Sequence, residues 1–335
     1  MTLVNILHLA DIHFGAEKTP AKHNSPEIND TNLAKRTNVL DGLVKQLKSS
    51  YQDQPLWKPN VVVISGDIGW KGNKSDYEQA QKWLSLLLDI LNLSPKELIL
   101  SPGNHDIDRN KTVGISPPQN KTEADEWLKI ENLENFVRPF EAYTSFCKTF
   151  GIPELTIGSE KHYLMGQREI NDLKFVVLNS SWFSRGDNDK GKLWIGFPQL
   201  ELMQASHQLI DPDNYDSGKI TIATLHHPFS WLHAAEHETP EGRQLTSDHL
   251  SERCHIILSG HTHTYISQPR RQNNAYLFNG GSSYAGSDYW NNFSIHQINL
   301  DNRTTARRAF EYDPRHGKWE EKAKLKETYD LKKNF

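Results

Sequence analysis

Five short clusters of Asp, Asn and His carry the chemistry of this 335-residue chain. They are Asp11-Ile12-His13, Gly66-Asp67, Gly103-Asn104-His105-Asp106, His226-His227-Pro228 and Gly260-His261-Thr262-His263. Carboxylates, imidazoles and a bridging oxygen are what two first-row divalent ions held side by side require. Asp-x-His puts a hard oxygen and a borderline nitrogen at one place. A carboxylate has two oxygens and can bridge two cations, and His-x-His gives two imidazoles from one turn. Gly66, Gly103 and Gly260 each precede a candidate ligand, as expected where backbone turns sharply without a Cβ. Taken singly, Asp-x-His is common on surfaces and Gly-Asp is common in turns. Together and in order, the five point to one metal centre assembled from five loops.

Each cluster needs an element to hold it, and each follows an apolar run of strand length: 3–10, 60–65, 97–100, 220–225 and 255–259. Such short β-branched runs suit strands buried on both faces. Residues 16–30 are polar with two prolines and read as a loop. Leu33, Leu40, Leu43, Val44 and Leu47 then have helical spacing, with Asp30 or Thr31 as N-cap. A second helix runs from the Ser75-x-x-Glu78 capping-box pattern through Tyr77, Ala80, Leu84, Leu87, Leu88 and Leu91. Strand, helix, strand, helix, strand is the rhythm of parallel βαβ units, whose ligand groups sit at the carboxyl ends of the strands.

Residues 107–160 break that rhythm. Pro-containing sequence leads into a helical stretch from about 122 to 150, placed by its departure from the Asn104-His105-Asp106 loop either to cap the site or to pack at the periphery. Later segments predict a strand at 174–179, a helix at 197–209, and short antiparallel strands at 276–279, 292–299 and 307–312. Residues 300–335 form a final strand and, after Trp319, a Lys- and Glu-rich tail that reads as a solvated helix or as frayed. His8 reads as a core residue, and His233 and His237 follow the fourth cluster closely enough to line a cleft.

Bulk properties narrow the classes. A net charge of −4 and a mean hydropathy of −0.68 give no general electrostatic reason to bind nucleic acid. The two cysteines, Cys147 and Cys254, lack metal-type spacing and suit a reducing compartment. The apolar run at the N-terminus is cut short by Asp11 and reads as a strand, and no window reaches the roughly 20 apolar residues of a membrane span. A soluble cytoplasmic protein without membrane contact is expected.

The ordered set D-x-H, G-D, G-N-H-[DE], H and G-H-x-H resembles the calcineurin-like metallophosphoesterases over about residues 3–265. The resemblance implies an α/β fold over residues 1–335: a four-layer α/β/β/α sandwich of two packed mixed sheets, with a dinuclear metal site at the strand ends. It implies Asp11, His13 and His263 on one metal, Asn104, His226 and His261 on the other, and Asp67 bridging. His226 is chosen over His227 because the family's ligand stands two residues before the Pro. Manganese is the expected metal, with Fe, Zn, Ni or Mg as alternatives. A hydroxide bridging the metals would attack phosphorus. His105 would contact phosphate or protonate the leaving oxygen, with Asp106 either orienting its ring or serving as a turn residue.

Departures from subfamily patterns sort the substrate. Ile68-Gly69-Trp70 follows Asp67 where serine/threonine phosphatases carry G-D-x-x-D-R-G, and Trp70 stands where purple acid phosphatases have Tyr. The remaining likeness is to bacterial phosphodiesterases acting on nucleotide-type diesters, including the Tyr312 to Trp319 segment. A DNA nuclease like the subunit of DNA-break-repair complexes is the alternative, since Ile6 to Gly15 also looks like its opening. A non-catalytic scaffold like the retromer subunit is disfavoured by the intact ligand set. No protein partner is implied.

Overall fold

A computed structural model of the chain describes residues 2–18, 26–186, 188–240, 242–264, 268–322 and 327–333. Two mixed sheets lie face to face with helices on their outer sides. The first is a 7-stranded sheet of order β14-β13-β12-β1-β2-β3, with β15 also pairing β13. Its parallel half is β1 (Leu3–Leu9), β2 (Val61–Ser65) and β3 (Leu98–Ser101). Its antiparallel half is β12 (Asn292–Asn299), β13 (Thr304–Asp313), β14 (Lys318–Glu321) and β15 (Thr328–Asp330). The second is an 8-stranded sheet of order β10-β11-β9-β8-β7-β6-β4-β5. Its strands are β4 (Leu155–Ile157), β5 (Glu160–His162), β6 (Gly166–Ile170), β7 (Leu173–Val177), β8 (Thr221–Thr224), β9 (Ile256–Ser259), β10 (Arg270–Gln272) and β11 (Ala275–Asn279).

The two-residue period of each strand divides its side chains between layers. Val4, Ile6, Val61, Val63 and Ile99 meet Phe175, Val177, Ile222, Ile256 and Leu258 between the sheets. The alternate residues Leu7, Leu9, Val62 and Ile64 pack outward on Leu40, Leu43 and Val44 of α1 (Pro26–Asp53) and Leu84, Leu87 and Leu88 of α2 (Lys74–Leu91). Each such side chain, buried fully, is worth about 1.5–3 kcal/mol. Behind the second sheet lie α6 (Phe197–Ala205) and α8 (Thr246–Arg253), contributing Leu200, Met203 and Leu250 to the core. This is the expected four-layer arrangement.

Several boundaries depart from the sequence reading. The first helix starts at Pro26 and includes Asp30 and Thr31, so neither is its N-cap. Residues 19–25 of the expected loop lie outside the described residues. The second helix is capped by Asn73, whose side chain accepts from Asp76 N–H, and not by Ser75. The expected 122–150 helix is broken into α3 (Lys121–Trp127), α4 (Glu134–Val137) and α5 (Glu141–Phe150), with Pro139 in the 3-10 turn before α5. The helix expected at 197–209 ends at Ala205, and His207 adopts a left-handed φ of 56°. β11 is parallel to β9 and antiparallel only to the short β10. The tail after Trp319 is also extended: β14 and β15 both pair with β13, and Trp319 Nε1 donates to Val39 O at 2.9 Å, tying β14 to α1. Residues 323–326 and 334–335 of that tail lie outside the described residues.

Segment 107–160 carries α3, α4 and α5 and ends in the second sheet, in β4 and the first residue of β5. In α5, Phe146 stacks on Tyr77 of α2 with ring centroids 5.2 Å apart. Past α3, Gln199 Nε2 of α6 donates to Leu128 O at 3.0 Å. Both contacts are with peripheral helices. Among the described residues, no helix is long and apolar enough to cross a membrane.

Candidate metal centre

Five strands, β1, β2, β3, β8 and β9, end at one edge of the sandwich, and each is followed by one of the five clusters. The backbone there is strained. Asp11, His13, Asp67, His261 and His263 have φ of 52°, 55°, 55°, 70° and 52°, in the left-handed region that non-glycine residues rarely adopt. Such strain persists only where surrounding contacts over-determine it. Here it turns five ligand-type side chains inward within two to four residues of a strand end.

The glycines beside them have a different use from the one expected. Only Gly66 has a positive φ, of 90°. A Cβ on Gly103 would stand 2.1 Å from Asp67 Oδ1, and one on Gly260 would stand 2.7 Å from Asp11 Oδ2. A Cβ on Gly66 would lie 2.4 Å from His226 Nδ1. Each glycine therefore vacates the space that a ligand from another loop fills.

The side chains converge on Asp67. Its Oδ2 is 3.2 Å from His13 Nε2 and 3.1 Å from His226 Nε2. His226 Nε2 is also 3.0 Å from Asn104 Oδ1 and 3.1 Å from His261 Nδ1. On the other side, His263 Nε2 approaches Asp11 Oδ1 at 3.2 Å. The donor atoms of Asp11, His13 and His263 lie within 4.8 Å of one another, as do those of Asp11, Asp67 and His226. Thus the structure gathers all seven expected ligands, with Asp67 between the two groups.

Hydrogen-bond chemistry tests whether cations fit. His226 Nδ1 faces Ser65 O at 2.9 Å, and because a carbonyl only accepts, the neutral ring carries its proton on Nδ1. Its Nε2 lone pair then faces Asp67 Oδ2 and Asn104 Oδ1, which are also acceptors. Electron pairs pointed at one another at about 3 Å are relieved by a proton or a cation. His261 Nε2 is buried and has no hydrogen-bond partner. Mixed N and O donors spaced near 3 Å match the edges of a polyhedron with ligand distances of about 2.1 Å. The residues fit two divalent ions.

The electrostatics agree. Burial opposes charge on Asp67, but the charges of His226 and His105 and hydrogen bonds from His13 and His226 hold its carboxylate well below the usual range. Burial likewise opposes charge on Asp11, and His263 and His226 outweigh it. Burial would lower His226, yet Asp67 and Asp11 raise it to about 9. The centre attracts positive charge.

The two residues expected to assist separate in space. His105 stands with the ligands, a ring nitrogen grouping within 4.8 Å of His13 and Asp67 donor atoms. Burial pushes its pKa down. Asp106 turns away. Its carboxylate accepts from Gly69 N–H at 2.8 Å, Gly103 N–H at 2.9 Å, Ile68 N–H at 3.3 Å and the Tyr77 hydroxyl at 3.0 Å. Burial and the nearby negative charge of Asp67 raise its pKa to about 7. The expectation that Asp106 orients the His105 ring is corrected: it ties the second and third loops together. His227, beside the site, meets Ser180 Oγ through Nδ1 at 2.9 Å. His233 caps α7 (Ala234–His237) by accepting Ala235 N–H, and stacks on Trp194 at 4.2 Å.

The sequence model of the family described as calcineurin-like phosphoesterase matches residues 4–265. The chain belongs to that family. A curated relative in Bacillus subtilis (strain 168), the uncharacterized metallophosphoesterase-like protein YydB, is 24% identical over 269 residues, covering 78% of this chain and 49% of that protein. The chain thus spans about half the length of that relative. Among solved structures, the purple acid phosphatase PPD1 from yellow lupin matches with a TM-score of 0.52 and 13% identity over 98% of this chain and 53% of its own. The Haemophilus influenzae NAD nucleotidase matches with a TM-score of 0.36 and 12% identity over 95% of this chain and 49% of its own.

Several residues that shape the site lie outside the motifs. Arg36 of α1 donates through Nη1 to Ile12 O at 2.6 Å, between the ligands Asp11 and His13, and pairs with Glu17 at 3.0 Å. Ser282 Oγ donates to Asp11 O at 2.9 Å. Trp231 meets His261 edge-on, with centroids 3.9 Å apart. None carries a local signal, because each is defined by a partner far along the chain. Trp70 stands out in the sequence only for not being Tyr.

Proposed function

We propose that the protein is a metal-dependent phosphodiesterase acting on nucleotide-type phosphodiesters. The observation that carries this is the Asp67 carboxylate, placed between Asp11, His13 and His263 on one side and Asn104, His226 and His261 on the other. When bound, two divalent cations acidify the attacking water and neutralise charge developing on the phosphate oxygens. Two ligand carboxylates against two divalent ions leave a net positive pocket, suited to an anionic ester.

The chain's own residues then position and protonate. Asp11, Asp67, Asn104 and the imidazoles would hold the cations that receive the ester's anionic group at the strand ends, and His105 is the group available to hand a proton to the departing oxygen. A sugar alkoxide leaves poorly without that proton, so His105 suits an ester with such a leaving group. Manganese is the metal we propose. The two buried free thiols, Cys147 and Cys254, suit a reducing, cytoplasmic setting. We take 1–335 as one domain, with 107–160 as an insertion in it.

Hydrolysis of an aryl phosphodiester and the matching monoester, with metal analysis of the same manganese-loaded sample, tests the reading. Faster diester turnover with bound metal is expected. Metal binding with monoester preference would overturn the diester assignment, and neither metal nor turnover would mean a scaffold. A cyclic nucleotide beside linear and circular single-stranded DNA then separates small diesters from nucleic acid.

A further inference from the structure

His105 is held differently from the ligands around it. Its backbone N–H donates to Asp67 Oδ1 at 2.8 Å, while its ring Nδ1 meets the Trp70 carbonyl at 2.9 Å. The carbonyl only accepts, so Nδ1 carries the proton and Nε2 is the free nitrogen. The Trp70 indole also stacks on the same imidazole, with centroids 4.1 Å apart and planes at 11°. Residue 70 therefore grips His105 twice, through an in-plane hydrogen bond and across the ring face.

The Trp70 segment is itself anchored. Asp76, in the first turn of α2, accepts Trp70 N–H at 3.2 Å and Lys71 N–H at 2.8 Å, both on Oδ2. Room for that carboxylate is left by Gly15, where a Cβ would stand 2.1 Å from Asp76 Oδ1. A chain of contacts thus runs from α2 through the 70–71 backbone to His105, while Asp106 serves a separate purpose.

We propose that Trp70 and Asp76 are positioning residues for His105: Asp76 fixes the 70–71 backbone, and Trp70 fixes the plane and tautomer of the imidazole. This rests on the phosphodiesterase reading and names the part of the fold that makes His105 competent as a proton donor. With its Nδ1–H committed to the Trp70 carbonyl, His105 presents Nε2 toward the reacting oxygen; the proton that the imidazolium carries on Nε2 passes to the leaving oxygen, and the ring returns to its neutral Nδ1–H form. Displacement of such a group by about 1 Å costs on the order of 100-fold in rate.

The test compares Trp70→Ala, Trp70→Phe, Asp76→Ala, His105→Ala and the Trp70→Ala/His105→Ala double variant, all manganese-loaded, on one dinucleoside phosphodiester, whose leaving group is a sugar alkoxide. Trp70→Ala should lower kcat about 30-fold, with KM within about threefold and metal content unchanged. Trp70→Phe, which keeps a stacking ring, should restore most of the rate. In the double variant the loss at residue 70 should vanish, because His105 is no longer there to be positioned. Imidazole nitrogen spectra of the zinc-loaded protein should show His105 protonated on Nδ1, and a mixture of tautomers in Asp76→Ala. A Trp70→Ala enzyme at the wild-type rate, a loss that multiplies fully with His105→Ala, or an unchanged tautomer in Asp76→Ala would each overturn the proposal. Should Asp76→Ala not fold, the Trp70 pair still decides. A wild-type protein that hydrolyses no phosphoester refutes the activity instead, and the nitrogen spectra then still judge the positioning.

Discussion

The ligand loops of the first sheet and those of the second are held in different ways. Loops after β1, β2 and β3 are laced to one another. Phe14 N–H donates to Ile68 O at 2.8 Å, and Asp106 gathers amides from Ile68, Gly69 and Gly103. Loops after β8 and β9 instead dock onto that frame. His226 leans on Ser65 O, and His261 N–H donates to Asp11 Oδ2 at 2.9 Å. His263 is 43% exposed, whereas His226 is fully buried. The first sheet builds a frame, and the second delivers imidazoles to it, so the centre exists only when the two sheets pack face to face.

That contrast can be broken at graded cost. Asp67→Ala removes the group common to both halves. Turnover should fall about 10³-fold or more, several kcal/mol of lost stabilisation, and metal analysis should show the ions depleted. Asp106→Ala attacks the frame alone, taking the carboxylate acceptor from the buried amides of Ile68, Gly69 and Gly103 and leaving the Tyr77 hydroxyl only the residue-106 carbonyl at 3.3 Å. About 3 kcal/mol of stability should be lost, seen as a lower midpoint in denaturant, with Asp106→Asn milder. Gly103→Ala forces a methyl against Asp67 and should weaken metal binding about 10- to 100-fold by titration. Gly186→Ala, with nothing within 4 Å, is the matched control and should leave binding unchanged.

A separate expectation concerns acid stability. Burial lowers His8 to about 3, and it lowers His249 and His255 to about 3 as well. These folded values lie below the ordinary 6.5, so the neutral rings contribute stability in full above about pH 6.5. That contribution is lost as pH falls from 6.5 toward 3, at up to about 1.4 kcal/mol per pH unit for each ring. Denaturation midpoints at pH 7 and pH 5 should differ in that direction, and His255→Gln should flatten the difference.

Legibility in the sequence followed the range of the physics. The ligands were readable because strand-ending Asp, Asn and His are chemically conspicuous and their order survives folding. The sandwich was readable from β-branched runs such as Val61 to Ile64. What the glycines are for was not, since Gly103 and Gly260 are small to admit Asp67 and Asp11 rather than to turn. Asp106 read as His105's partner by adjacency, yet neighbours in a tight loop point apart. β14 and β15 hid behind Lys and Glu because strands pairing at a sheet margin need little apolar alternation.

In the proposed function, Asp67 joins two sets of ligands into one hydrolytic centre. Metal stoichiometry and diester turnover, measured together on manganese-loaded wild type and Asp67→Ala, test it most directly. Two ions per chain with turnover in the wild type, and loss of both in the variant, are predicted. A variant that keeps two ions and its turnover would contradict the account.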